Sequence, residues 1–164
     1  MTWRTSDTVI GSQAITETST TQNHPLGTII KATHTTLGSG EFIYLKGVTS
    51  TIVGSIVNYD DNFQTALDSA AVSGPSRPLA IAMSANVGDQ YGWYQISGLA
   101  VAAKANTVSF ADGAGLGSGS GLAVAVVTGT VIQGAVVRTV ASAKSNVTTV
   151  AVAINRPHGP SDVS

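Results

Sequence analysis

Along most of the chain, hydrophobic residues recur at every second position, the period of a strand whose side chains alternate between two faces. In 147–154, Val150, Val152 and Ile154 share one face with Thr148, and Thr149, Ala151 and Ala153 take the other. In 136–141, Val136 and Val140 fall on the face of Arg138, and Leu99, Val101 and Ala103 oppose Ala100, Ala102 and Lys104. Further strands are predicted at 27–33, 41–47, 51–58, 79–84, 91–97 and 121–127. Turn-forming residues punctuate them at Gly38-Ser39-Gly40, Asp60-Asp61-Asn62, Ser73-Gly74-Pro75, Asn86-Val87-Gly88-Asp89 and from Asp112 to Gly121. Residues 66–73 are compatible with one short helix. Short strands at regular spacing predict an all-β, single-domain β-sandwich or β-barrel. Many inward positions are alanine, so facing sheets must approach closely or present larger residues opposite. Gly54 and Gly134, inside strand-like runs, predict bulges or close backbone approach.

Three zones follow. Residues 1–24 contain seven Thr and three Ser, and only Val9, Ile10 and Ile15 among the aliphatics could pack. Such a segment cannot build its own core and is expected to be an extended N-terminal arm or a loosely tied edge strand, dispensable for the stability of the body. Residues 25–154 form the β-rich body. Residues 155–164, with two prolines and a glycine, are expected to be a frayed tail.

Composition narrows the function classes. Of 164 residues, 96 are Ala, Thr, Val, Ser or Gly, with two Glu and eight Leu. That excludes a coiled coil or helical bundle. Eight basic against nine acidic residues leave a net charge of −1, too little for a strong electrostatic grip on nucleic acid or an anionic membrane. The first 24 residues are too polar to read as a signal peptide. Residues 113–137 carry no charge, but Thr128, Gly129, Thr130, Gln133 and Gly134 break the apolar run that a spanning helix needs. Cysteine is absent, which removes disulfides, thiolate metal sites and thiol nucleophiles.

Candidate chemistry is sparse. His24, His34 and His158 lack metal-ligand spacing and are expected to be solvated loop histidines. Asp60 and Asp61 read as turn-capping residues rather than a catalytic pair. Gly117-Ser118-Gly119-Ser120-Gly121 fits the nucleophile-elbow pattern only formally; with no helix after it, a flexible Gly/Ser loop is expected. The sequence thus predicts no enzyme, no catalytic residue, no metal and no cofactor. Four of the nine aromatics fall within 91–110. Tyr91 and Trp93 share one strand face and Tyr94 the other, so one set is expected in the core while the other covers a sheet edge or meets a partner. Trp3, in a polar arm with no local core, is expected to dock on a partner or stay exposed, with Arg4 beside it for an acidic group. Trp3, Arg4, Val9, Ile10, Tyr91, Trp93 and Tyr94 are therefore the candidate partner contacts.

Two stretches carry a resemblance. Asn23-His24-Pro25-Leu26-Gly27-Thr28-Ile29-Ile30-Lys31-Ala32, and Arg77-Pro78-Leu79-Ala80-Ile81-Ala82 leading through Gly88-Asp89-Gln90-Tyr91-Gly92-Trp93-Tyr94-Gln95-Ile96-Ser97-Gly98 to Val101, resemble head decoration (capsid cement) proteins of tailed bacteriophages. The resemblance spans roughly 23–154 and is one of composition. It implies a structural virion protein on the outer surface of the capsid, partnered by the major capsid protein and by itself in trimers or similar clusters, with no catalysis. The alternative is a tail or fibre module that binds host surface glycan through Trp93 and Tyr94.

Overall fold

The computed structural model describes residues 3–6, 11–69, 76–126, 130–138 and 148–160. It is an all-β protein, a single-domain sandwich-like body with a short N-terminal strand added at one edge. Its strands are β1 (Arg4–Thr5), β2 (Ile29–His34), β3 (Gly38–Lys46), β4 (Ile56–Tyr59), β5 (Thr65–Leu67), β6 (Leu79–Ala82), β7 (Tyr91–Ala103), β8 (Gly117–Gly119), β9 (Leu122–Val124), β10 (Gln133–Val137) and β11 (Thr149–His158). The main sheet runs β1-β2-β3-β7-β6-β4-β5, with β11 on β7 and β10 on β11, every pairing antiparallel. β8 and β9 form a separate hairpin.

Strand β7 organises the molecule. Tyr91 to Ser97 pair with β3, Tyr94 and Gln95 also pair with β6, and Ser97 to Ala103 pair with β11. Between these parts the register with β3 slips, from Glu41↔Ser97 to Phe42↔Gln95, and Gly98 adopts φ +103°. A Cβ on Gly98 would sit 2.5 Å from the Ser39 carbonyl oxygen, so only glycine lets β3 cross this bend.

Three clusters form the core. One side of the first half of β7 gathers Ile15, Ile30, Ala32, Phe42, Tyr44 and Trp93. The other side gathers Ile43, Leu45, Val57, Ala80, Tyr94 and Ile96. Beyond the bend, Ala100 and Ala102 face Phe110, Leu116, Ile132, Val137 and the Val150, Val152 and Ile154 stripe of β11. The alanines of β7 are inward because larger side chains fill the space opposite them, and Val101 faces out, 40% exposed.

Several expectations need correction. Residues 66–73 do not begin a helix: Ala66 and Leu67 belong to β5, where Thr65 is bonded to the Lys46 carbonyl, and 70–73 lie outside the described residues. Gly38-Ser39-Gly40 is not a turn but the start of β3; the turn is 35–37. The run 117–121 is a hairpin rather than a loose loop, with Ser118 buried and bonded to the Asp68 carboxylate. Residues 155–158 continue β11 instead of fraying. Between Ile154 and His158, β11 carries three residues opposite the single Gly134 of β10, and this bulge, with the positive φ of Arg156, carries the pairing to Gln133↔His158. Gly54 and Gly134 do mark close approaches: a Cβ on either would come 2.7 Å from backbone atoms, Ala103 N and Asn155 O respectively. Asp60 caps its turn as expected, its Oδ1 accepting from the Asn62 and Gln64 amides at 2.9 and 3.0 Å. The signal of Ser73-Gly74-Pro75 falls outside the described residues.

Candidate functional site

The N-terminal arm and the aromatic face it lies on form the densest arrangement of the residues singled out above. Arg4 pairs with Thr33 and Thr5 with Ala32, and the Ser6 amide donates to the Lys31 carbonyl at 2.9 Å. These backbone bonds place Trp3 over the end of β2. Its ring centre is 5.1 Å from that of His34 and 4.9 Å from that of Phe42, in an edge-on contact at 72° with the latter. Trp3 is thus half-buried against the molecule's own sheet rather than left without a core: its seat is assembled by His34 of β2 and Phe42 of β3, which no local pattern in 1–24 reveals. Arg4 is exposed. Val9 and Ile10 lie outside the described residues.

Residues 11–24 cross the same aromatic face as a cover. Ile15 is buried, and Ser19 forms a two-way backbone bridge with Tyr91 at 3.0 and 2.8 Å. Gln13 is the hub. Its carbonyl accepts from Trp93 Nε1 at 3.0 Å, and its side-chain oxygen accepts from the Tyr44 hydroxyl at 2.9 Å and from Asn23 Nδ2 at 3.0 Å. Its side-chain nitrogen donates to the carbonyls of Glu17 and Tyr91 at 2.7 and 3.2 Å. The Gln13 amide donates to Nε2 of His24 at 3.2 Å, and the His24 ring packs edge-on to Tyr44 and tilted on Trp93. His24 is therefore a buried component of this layer, not a solvated loop histidine. Burial raises the Tyr44 hydroxyl above its ordinary pKa, partly offset by the Asn23 backbone amide.

The three aromatics of β7 divide differently from the expectation of one buried and one exposed face. Trp93 and Tyr94 are both fully enclosed, on opposite sides of the sheet, because the sheet is covered on both faces. Neither presents a ring to a partner, and neither offers a stacking platform for a sugar. Tyr91 is half-buried and stacks on Tyr44 at 6.4 Å. Burial pushes the Tyr94 hydroxyl up to about 12, with Thr65 and Asn86 acting in the opposite direction. Of the candidate contacts that are described, Trp3, Arg4 and Tyr91 keep surface to offer.

A second polar place lies at the C-terminal end of β4. Tyr59, Asp60, Asp61, Ser76, Arg77 and Pro78 line a shallow cleft of about 290 Å³. Ser76 Oγ is 3.1 Å from His158 Nδ1 and donates to the Gly159 carbonyl at 2.7 Å. With the Gly159 amide on the Arg77 carbonyl and the Pro78↔His158 bridge, this contact fastens the end of β11 to the entry of β6. The serine hydroxyl is committed to a carbonyl, so the pair works as a clasp. Among the described residues no three His, Asp or Glu converge as metal ligands, and none forms a helix able to cross a membrane.

Of Gln13, Ile15 and His24, only Ile15 carries a signal in the sequence, as one of the three aliphatics of 1–24 able to pack; nothing in the pattern marks Gln13 or the burial of His24. Compared with known protein families, curated proteins and solved structures, the chain matches none.

Proposed function

We propose that the protein is a capsid decoration protein of a tailed phage, bound noncovalently to the outer surface of the head and bridging neighbouring capsid subunits. The observation that carries this reading is the arm. Only two residues of β1 pair with the sheet, and its one large side chain is half-buried, so this element can change partners at the cost of uncovering the edge of β2 and part of Phe42 and no more of the core. The resemblance of 23–32 and 77–101 supports the same reading, as does a body with few charges. Binding to the mature shell stabilises that shell by mass action, and repetition on a lattice adds avidity. Strand addition of the arm to an exposed capsid edge supplies main-chain hydrogen bonds, with Trp3 as apolar anchor and Arg4 as a salt-dependent contact. The enclosure of Trp93 and Tyr94 removes the residues on which a glycan-binding tail module would have relied.

The test is to add purified protein to heads stripped of decoration and count bound copies per particle. Hundreds of copies, together with greater resistance of the heads to heat or chelation, are expected. A dozen or fewer, or binding confined to tails, overturns the reading.

A further inference from the structure

We infer that the N-terminal arm exchanges between copies of this chain, the Trp3–Ser6 segment of one molecule occupying the edge of β2 in another. The seat is known to fit this sequence because the chain's own arm fills it: Arg4↔Thr33, Thr5↔Ala32, and Trp3 against His34 and Phe42. A second copy supplies the identical segment, so no new complementarity is required, which is the condition for a low-cost swap. The point of departure is Gly11, exposed, at φ +79°, with open space where a Cβ would stand. From Gly11 to Trp3 the chain extends at most about 27 Å. With a radius of gyration of ~15 Å expected for a domain of this length, that reach spans to the seat of a neighbour that touches near the β2 edge. The home seat competes at an effective concentration of order millimolar. Exchange therefore rises steeply when copies are crowded, in concentrated solution or side by side on a surface. The inference concerns two copies of this chain alone and needs no capsid: an arm seated on a neighbouring copy is not seated on a capsid edge, so the two uses of Trp3–Ser6 are alternatives within any one molecule.

The absence of native cysteine permits a direct test. Arg4 and Thr33 are exposed and directly opposed in an antiparallel pair, with a Cα separation of about 4.5–5.5 Å that suits a disulfide. One copy carries Arg4→Cys and a mass tag, the other Thr33→Cys, and the two are mixed under mild oxidation at micromolar and near-millimolar concentrations. A covalent heterodimer is expected at the higher concentration, at least several-fold above a control pair of Arg4→Cys with Thr21→Cys at another exposed site. Adding Trp3→Ala to the tagged copy is expected to bring the yield down to the control. Yields equal to the control at both concentrations overturn the inference, and they do so decisively if the Arg4→Cys/Thr33→Cys double variant closes only within its own chain.

Discussion

The indole Nε1 of Trp93 donates to the backbone carbonyl of Gln13 at 3.0 Å, joining the central strand of the sheet to a segment with no strand pattern of its own. The same residue satisfies the Tyr44 hydroxyl. A single glutamine thus completes the hydrogen bonding of two aromatic side chains whose rings are enclosed.

Replacing Gln13 by alanine keeps the carbonyl but removes every side-chain bond. The Tyr44 hydroxyl then loses its acceptor in a covered layer and keeps only the long bond it accepts from the Asn23 amide at 3.3 Å, which costs about 1–2 kcal/mol for a donor left without a partner. Gln13→Ala is expected to lower the urea midpoint accordingly, with Gln13→Glu losing less because an acceptor remains. Equal midpoints for wild type and Gln13→Ala would show that the layer contributes nothing to folding.

The main sheet was legible in the sequence where β-branched residues alternate without interruption. The stripe Val150, Val152 and Ile154 is inward as the pattern requires, because a one-residue slip would turn the whole stripe to solvent. The pattern was silent where burial is made by single residues from irregular chain. Ile15 and His24 are buried by tertiary placement, Ile15 against the Phe42, Tyr44 and Trp93 cluster and His24 by its bond from the Gln13 amide, so no period exists to detect. It misled at 117–121, where glycine and serine suggest a loop. There Gly117 and Gly119 let β8 pack close to Val124, and the Asp68 carboxylate accepts from Ser118. For the candidate site, Trp3 was identified by its isolation, but its seat is formed by β2 and β3 and could not be read locally. Trp93 and Tyr94 were identified as a cluster, yet only the two-sided covering of the sheet decides that both are core.

Two glycines separate backbone strain from steric collision. Gly54 has φ +85°, and a Cβ there would stand 2.7 Å from Ala103 N and 3.1 Å from Val101 O. Gly113 has a similar φ of +78° with nothing within 4 Å. Gly113→Ala is expected to cost about 1–2 kcal/mol, the penalty of a left-handed backbone for an L-residue. Gly54→Ala adds a backbone clash and is expected to cost clearly more, about 3 kcal/mol or above. Chemical denaturation of the two variants checks the order; equal losses would mean that the loop at Gly54 relaxes freely away from β7.

Tyr94 sets an alkaline limit. Its folded-state pKa of about 12 lies above the ordinary 10.0, so the folded protein retains a proton that the unfolded chain releases. Its contribution is complete below pH 10 and is lost as the pH rises from there through about 12, by roughly 2–3 kcal/mol in all. Tyr94→Phe abolishes that titration. The variant is expected to unfold near wild-type denaturant concentration at pH 7, and to show a shallower decline between pH 10 and 12. Parallel alkaline limbs in the two proteins would assign the decline to other groups, with Tyr44 and Tyr59, both raised by burial, the first to consider.

Graded truncation distinguishes the two parts of the N-terminal segment, which the sequence treats as one dispensable arm. Removing 1–6 deletes two strand pairs and a half-buried indole, and exposes the edge of β2 and part of Phe42. That is expected to cost about 1–3 kcal/mol, from the apolar area of one large side chain, or a fall in Tm of several degrees for a chain of this size. Removing 1–24 also takes away Ile15, His24 and Gln13. The enclosed side of Phe42, Tyr44 and Trp93 then meets water, and each large side chain contributes about 1.5–3 kcal/mol when buried. The summed loss approaches the 5–15 kcal/mol that holds a typical domain together. The longer truncation is therefore expected to lose cooperative melting and near-ultraviolet circular dichroism, while the shorter one keeps both. If the protein lacking 1–24 melts as sharply and as high as the one lacking 1–6, the Gln13 layer is a passive covering, and the body does begin at Pro25.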